Sequence, residues 1–153
     1  MNYWLLKSEP TTFGIDDLAK APRRRSGWDG VRNYQVRNML RDEMKKGDLA
    51  FFYHSSCAVP GIYGVARIVT TGYPDPTAFD PRHAHFDARS DSAAPTWYMV
   101  DVEFVRRFTA PITLETLKAH ARALGDFALL KRGNRLSIMK LTATQWRKVL
   151  ALA

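Results

Sequence analysis

The sequence predicts an α+β domain built on a strongly bent sheet or small barrel. Three observations carry that expectation. Strand-like segments follow one another through turns and one long loop, helices are inserted early and late, and no βαβ repeat is present. The chain of 153 residues, taken as one domain over 1–153, has ordinary domain length. Its 46% hydrophobic and 25% charged residues suit a packed core and exclude a disordered or collagen-like chain.

Tyr3–Lys7 reads as a short apolar strand stopped by Pro10, which cannot donate to a ladder. Asp16–Ala19 reads as a short helix with acids in its first turn, where they interact favourably with the helix dipole. Val36, Met39, Leu40 and Met44 mark an amphipathic helix from Asn33 to Met44, with Arg37, Arg41 and Lys45 as a basic stripe on its other face. Leu49–His54 and Ile62–Thr70 read as strands, with Gly61 and Gly64 marking close backbone approach or a bulge. Residues 72–95 hold four prolines and form the longest irregular segment. Trp97–Phe108 alternates, with Tyr98, Val100, Val102 and Phe104 on one face. Thr113–Ala123 is a helix capped by Thr113, and Arg135–Leu141 a last strand. Thr142 and Gln145 form the capping box of a final helix, with Leu141 and Trp146 as its hydrophobic staple.

The net charge is +8, which points to an anionic partner only when its placement is known. Residues 20–46 carry +6 and residues 118–153 carry +7, around a mildly acidic middle. Fifteen of the 23 basic residues are arginine, whose planar fork suits phosphate. Arg23, Arg24 and Arg25 lie in a Pro/Gly-bounded loop directly before the most unusual motif in the chain. A solvated basic face is the alternative explanation of each block. No stretch reaches the ~18 apolar residues of a membrane span, and Lys7 interrupts the apolar start too soon for a signal peptide. The single cysteine, Cys57, excludes an internal disulfide and fits a reducing, cytoplasmic setting. Nothing in the chain requires a partner for folding, so a monomer is expected.

Catalytic and metal chemistry find little support. No phosphate-cradling glycine loop is present, and Gly27-Trp28-Asp29-Gly30 lacks the spacing. His83 and His85, near Asp80 and Asp87, are the only clustered metal candidates, without a Cys pair or a H-E-x-x-H helix. His54 and Cys57 are close in sequence, whereas nucleophile and base normally converge from distant segments. No metal and no cofactor are expected, and a binding module leads. Four segments combine aromatic and polar groups at strand ends: 7–9, 28–34, 53–55 and 97–98. Trp28 in its Gly-flanked loop is either part of a satellite cluster or the wall of a pocket that stacks a planar ligand.

Taken together, YWLLKSEP (3–10), WDGVRNYQVRNMLR (28–41), GDLAFFYHSSC (47–57), PGIYGVARIV (60–69), YPDPTAF (73–79) and WYMVDVEFV (97–105) resemble the EVE domain family. ITLETLK (112–118) and RLSIMKLT (135–142) extend the resemblance over nearly the whole chain. Phe13-Gly14, Val36 and Arg23-Arg24-Arg25 depart from the family's usual pattern. The resemblance implies a PUA-like fold, a strongly curved mixed β-barrel with flanking helices, akin to YTH and ASCH domains. It implies a non-catalytic reader of a modified base, methylated or hydroxymethylated, in DNA or RNA. The implied base pocket uses Lys7, Ser8, Trp28, Val31, Arg32, Asn33, His54, Ser55 and Trp97. Arg23, Arg24, Arg25, Arg37 and Arg41 would hold the phosphate backbone. A small ASCH-like amidohydrolase acting on modified nucleosides is the rival, with Lys7 and Glu9 as base and acid; a plain salt bridge between those two is the simpler expectation.

Overall fold

The computed structural model describes residues 1–153. Seven strands form one mixed sheet: β1 (Tyr3–Ser8), β2 (Arg25–Trp28), β3 (Leu49–His54), β4 (Gly61–Ile68), β5 (Tyr73–Pro74), β6 (Tyr98–Thr113) and β7 (Ile138–Leu141). The order is β2-β6-β4-β3-β1-β7, with β5 paired to β6. The α+β class is as expected, but β2 and β7 are ends of that order and are not joined. The sheet is therefore open, and the expected barrel closure is absent from the pairing.

β1 and β3 run parallel, from Tyr3 opposite Leu49 to Ser8 opposite His54, and every other pairing is antiparallel. A parallel pair needs a long crossover. Here it carries α1 (Pro10–Phe13), α2 (Ile15–Lys20), β2 and α3 (Tyr34–Asn38). α4 (Leu114–Ala119), α5 (Ala121–Leu124) and α6 (Ala143–Leu150) follow the long strand β6.

The sheet is packed on both faces, which is why Trp4-Leu5-Leu6 and Phe51-Phe52 are continuous apolar runs rather than alternating ones. Trp4, Leu6, Phe52, Val100 and Val102 enter one cluster with α2 and α3. Leu5, Phe51, Phe108, Ile112 and Trp146 enter the other, beneath α4–α6. Each fully buried Leu or Phe contributes about 1.5–3 kcal/mol. Asp48, itself buried, accepts from Asn2 N–H (3.0 Å), Trp4 Nε1–H (3.0 Å) and Lys45 N–H (2.9 Å), tying the chain start to β3.

Several local expectations are corrected. β1 ends at Ser8, just before Pro10 as expected, and Pro10 itself opens α1, where its missing N–H costs nothing. The helix expected from Asn33 to Met44 is α-helical only to Asn38 and continues as a π turn, Met39–Glu43. Met44 N–H bonds Met39 O at 2.9 Å, which keeps Met44 in the core. The helix expected over Thr113–Ala123 breaks at His120, whose N–H and Nδ1 both lie on Thr116 O. Gly64 marks a bulge as expected: the two steps from Ile62 to Gly64 face the five from Arg107 to Ile112. A side chain at Gly64 would run into Arg106 O and Ile15.

Candidate functional site

The C-terminal ends of β1 and β3 lie side by side, and Ser55 N–H extends their ladder by donating to Ser8 O at 2.9 Å. Beside the β1 end opens a hollow of about 300 Å³. Lys7 and Ser8 reach it from β1, Phe13 from α1, and Trp28, Val31 and Arg32 from β2 and the segment after it. Five of the nine expected pocket residues thus converge.

Trp28 is 9% exposed and belongs to the core, edge-on to Phe52 with centroids 5.4 Å apart. It is core on one side and lines the hollow on the other. Lys7 makes no ion pair with Glu9, against the simple salt bridge expected; its Nζ sits 6.0 Å from the centre of the Tyr53 ring. Ser8 Oγ donates to Phe13 O at 2.7 Å, leaving its lone pairs to accept.

Arg32 is a clasp. Its Nε–H and one Nη2–H go to His85 O (3.0 and 2.6 Å), and the other Nη2–H to Thr77 Oγ1 (3.2 Å). Its Nη1 donates to Val31 O (2.8 Å) and Asp75 Oδ2 (3.1 Å). These five contacts use all the donors a guanidinium has. Asp75 is fully buried and also accepts from Gly30 N–H at 2.8 Å and from Thr77 N–H and Oγ1–H. Burial alone would raise its carboxyl, but the bonds from Thr77, Gly30 and Arg32 outweigh that and hold it below the ordinary carboxylate value. Arg32 and Asp75 together bind the Trp28–Arg32 segment to the loop after β5.

The other four expected pocket residues do not line the hollow. Asn33 caps α3, its Oδ1 accepting from Val36 N–H at 3.0 Å. His54 is buried, stacked on Tyr63 at 4.0 Å between centroids, and its Nε2 accepts from Ile15 N–H at 3.1 Å. Burial holds His54 below its ordinary value. Ser55 contributes its backbone to the ladder. Trp97 is buried behind the site, donating to Asp87 Oδ2 at 2.6 Å and covered by Tyr34 (centroids 4.9 Å) and the Arg32 guanidinium (5.5 Å). Its Nε1–H holds the Asp87 carboxyl low.

Sequence reasoning passed over His85 and Ser137, which line the hollow from segments distant in sequence. The His85 ring packs where a Cβ on Gly30 would lie, and the φ of +77° at Gly30 also favours glycine there. Asp29, His83 and His85 bring one ligand atom each within 4.8 Å of one another, so Asp29 rather than Asp80 or Asp87 is the carboxylate near the pair. His83 Nδ1 already accepts from His85 N–H at 3.0 Å.

The expected phosphate-holding arginines are divided. Arg23 and Arg24 are exposed, with φ of 57° and 56°, and Arg24 lies over Phe104 at 5.7 Å. Arg25 pairs with Glu103 (2.8 Å), Arg41 with Asp42 (2.7 Å), and Arg37 donates to Thr96 O (2.7 Å).

The EVE domain model matches residues 2–152. Thymocyte nuclear protein 1 of Mus musculus is 44% identical over 99% of this chain and 73% of its own length. A crystal structure of a Pseudomonas putida protein superposes with a TM-score of 0.93 at 47% identity, covering 98% of each chain. The crystal structure of human THYN1 protein in complex with 5-methylcytosine-containing DNA superposes with a TM-score of 0.92 at 44% identity, covering 99% of this chain and 97% of that one. The cytoplasmic setting expected from the lone cysteine is corrected by these relatives, whose name points to the nucleus. Matched from end to end by the family model and by relatives of this identity, the chain belongs to the EVE domain family.

Proposed function

We propose that the protein is a non-catalytic reader of modified DNA that takes one base into the hollow beside the β1 end. The observation that carries this is the convergence of Lys7, Ser8, Trp28 and Val31 on one hollow, in a chain 44% identical to a human protein crystallised on 5-methylcytosine-containing DNA. At about 300 Å³ the hollow is at the lower end of the ~300–1,000 Å³ usual for small-ligand sites. Trp28, Val31 and Phe13 supply its apolar wall, and Ser8 and Lys7 supply polar groups for a base edge. Arg32 lines the hollow and clasps its segment, and Asn33, His54, Ser55 and Trp97 support it from outside as positioning residues. A buried methyl contributes only ~0.8 kcal/mol, so discrimination rests on penalising the unmodified base. Arg23 and Arg24 extend towards the phosphate backbone, with Arg25, Arg37 and Arg41 adding to the local positive field.

The test is a fluorescence-anisotropy titration of two duplexes differing only in the C5 methyl of one cytosine, repeated at two salt concentrations. Wild type is expected to prefer the methylated duplex. Thr12→Trp, at an exposed position on the rim, fills the hollow and is expected to abolish the preference while leaving salt-sensitive background binding. A preference unchanged in Thr12→Trp removes the hollow from recognition.

A further inference from the structure

We infer that a second, wider cleft beside the base hollow is the phosphate-binding channel for the strand flanking the inspected base; this rests on the reader function proposed above. The cleft measures about 550 Å³ and is rimmed by Lys131, Arg132, Arg135 and Lys140, with Gln35 on the opposite side. Four cations on one concave rim focus field lines and raise the local concentration of an anion more than the same charges spread over a convex face. The floor is apolar, with Met39 and Met139. A rim of cations above an apolar floor fits a sugar–phosphate chain, whose charge is peripheral.

The cleft and the hollow are lined by neighbouring residues of the same two chain segments. Leu136 lines the cleft, its neighbour Ser137 lines the hollow, and Ser137 O accepts from Lys7 N–H at 2.8 Å. On the other side, Val31 and Arg32 line the hollow while Gln35 and Met39 line the cleft. This adjacency is what lets a strand with one nucleotide in the hollow reach the cleft with its flanking phosphates. The loop that carries the cations is built: Asn134 Nδ2 donates to Ala128 O (2.7 Å), its Oδ1 accepts from Leu136 N–H (2.9 Å), and Gly133 turns at φ +76°.

The cations are available. Arg132 and Arg135 are exposed and make no ion pair, while Lys131–Asp126 (2.9 Å) and Lys140–Glu43 (3.4 Å) are solvent-exposed pairs that a phosphate can displace. Arg25 and Arg41 stand in comparable exposed pairs with Glu103 and Asp42, and Arg37 donates to Thr96 O, but none of the three lines the cleft. The second basic block, not the first, holds the concave surface.

The experiment is the salt dependence of binding to the methylated and unmethylated duplexes for wild type, Arg132→Ala/Arg135→Ala, Arg132→Lys/Arg135→Lys and the charge-matched control Arg122→Ala/Arg147→Ala. Neither control residue lines the cleft. Each phosphate contact contributes ~0.9 to the slope of log K against log salt on B-DNA. The alanine pair is expected to lower that slope by about 1.8 on both duplexes, keeping the ratio of the two affinities, and the lysine pair to retain it. An unchanged slope in the alanine pair, or an equal fall in the control pair, overturns the channel. Loss of methyl preference in wild type, with the slope still falling in the alanine pair, overturns the base-reading function and leaves the channel standing.

Discussion

Asp75 is the place where removing a few atoms has the furthest-reaching effect on the site. Its carboxylate is fully buried and accepts from Gly30 N–H, Thr77 N–H, Thr77 Oγ1 and the Arg32 guanidinium. Asp75→Ala leaves these donors facing a void. Removing one partner of a buried ion pair costs about 3–5 kcal/mol. The Arg32 side chain is 23% exposed and keeps its carbonyl partners, so solvent screening lowers the expected loss to about 2–4 kcal/mol. In a chain of this length each kcal/mol moves Tm by about 2–4 °C, giving a fall of about 5–15 °C. Asp75→Asn retains an acceptor oxygen and is expected to lose about 1–2 kcal/mol. Urea denaturation monitored by circular dichroism measures both. Asp75 does not line the hollow, so the methyl preference of the folded variant reports whether the clasp positions the Trp28–Arg32 segment; that preference is expected to fall as well. An Asp75→Ala stability within 0.5 kcal/mol of wild type would refute the reasoning.

Two further outcomes follow from the same contacts. Burial holds His54 neutral, and its Nε2 accepts from Ile15 N–H at the start of α2. Its folded value lies below the ordinary ~6.5, so the unfolded chain binds the extra proton; its contribution to stability is complete above that pH and is lost as pH falls through the folded value. Urea midpoints are expected to drop between pH 7.5 and 5.5 in wild type and to drop less in His54→Gln; equal drops would exclude His54 as the cause. Gly64→Ala presses a methyl against Arg106 O, a backbone atom in the paired strand that cannot turn away. A loss of about 1–3 kcal/mol is expected on thermal melting, and an unchanged Tm would mean the bulge yields.

The strands were legible because their residues answer to local pattern. Leu49–His54 is apolar up to its last residue and forms β3 with those bounds, and Thr142 with Gln145 forms the expected capping box. The π turn at Met39–Glu43 and the break at His120 escaped because each depends on where a carbonyl's donor comes from, which no periodicity records. Around the site, Lys7, Ser8, Trp28, Val31 and Arg32 were named through the family resemblance of their motifs, and they fall on two chain segments that meet at the hollow. Asn33 was expected in the base pocket, but the helix that begins at Tyr34 takes its side chain as N-cap. Trp97 sits at a strand start beside polar groups, but which face it takes is decided by Asp87, Tyr34 and Arg32, all remote in sequence. His85 was invisible as a lining residue for the same reason: its position is set by the Arg32 clasp and by the bare backbone of Gly30.

The two-faced sheet also bears on how such a protein can diversify. Leu5 and Leu6 are adjacent in the chain yet belong to separate layers, and the hollow is built almost entirely on the Leu6 side. Phe51, Trp146 and Val149, on the Leu5 side, touch no residue's place in it. Substitutions there act as a stabilising reserve: they raise the threshold below which a lineage loses its fold, and changes at distant sites combine nearly additively. Changes at Trp28, Val31 and Phe13 then reshape the hollow while the far layer absorbs the loss of stability. The lining of the hollow and that reserve lie on opposite sides of the same six-residue strand.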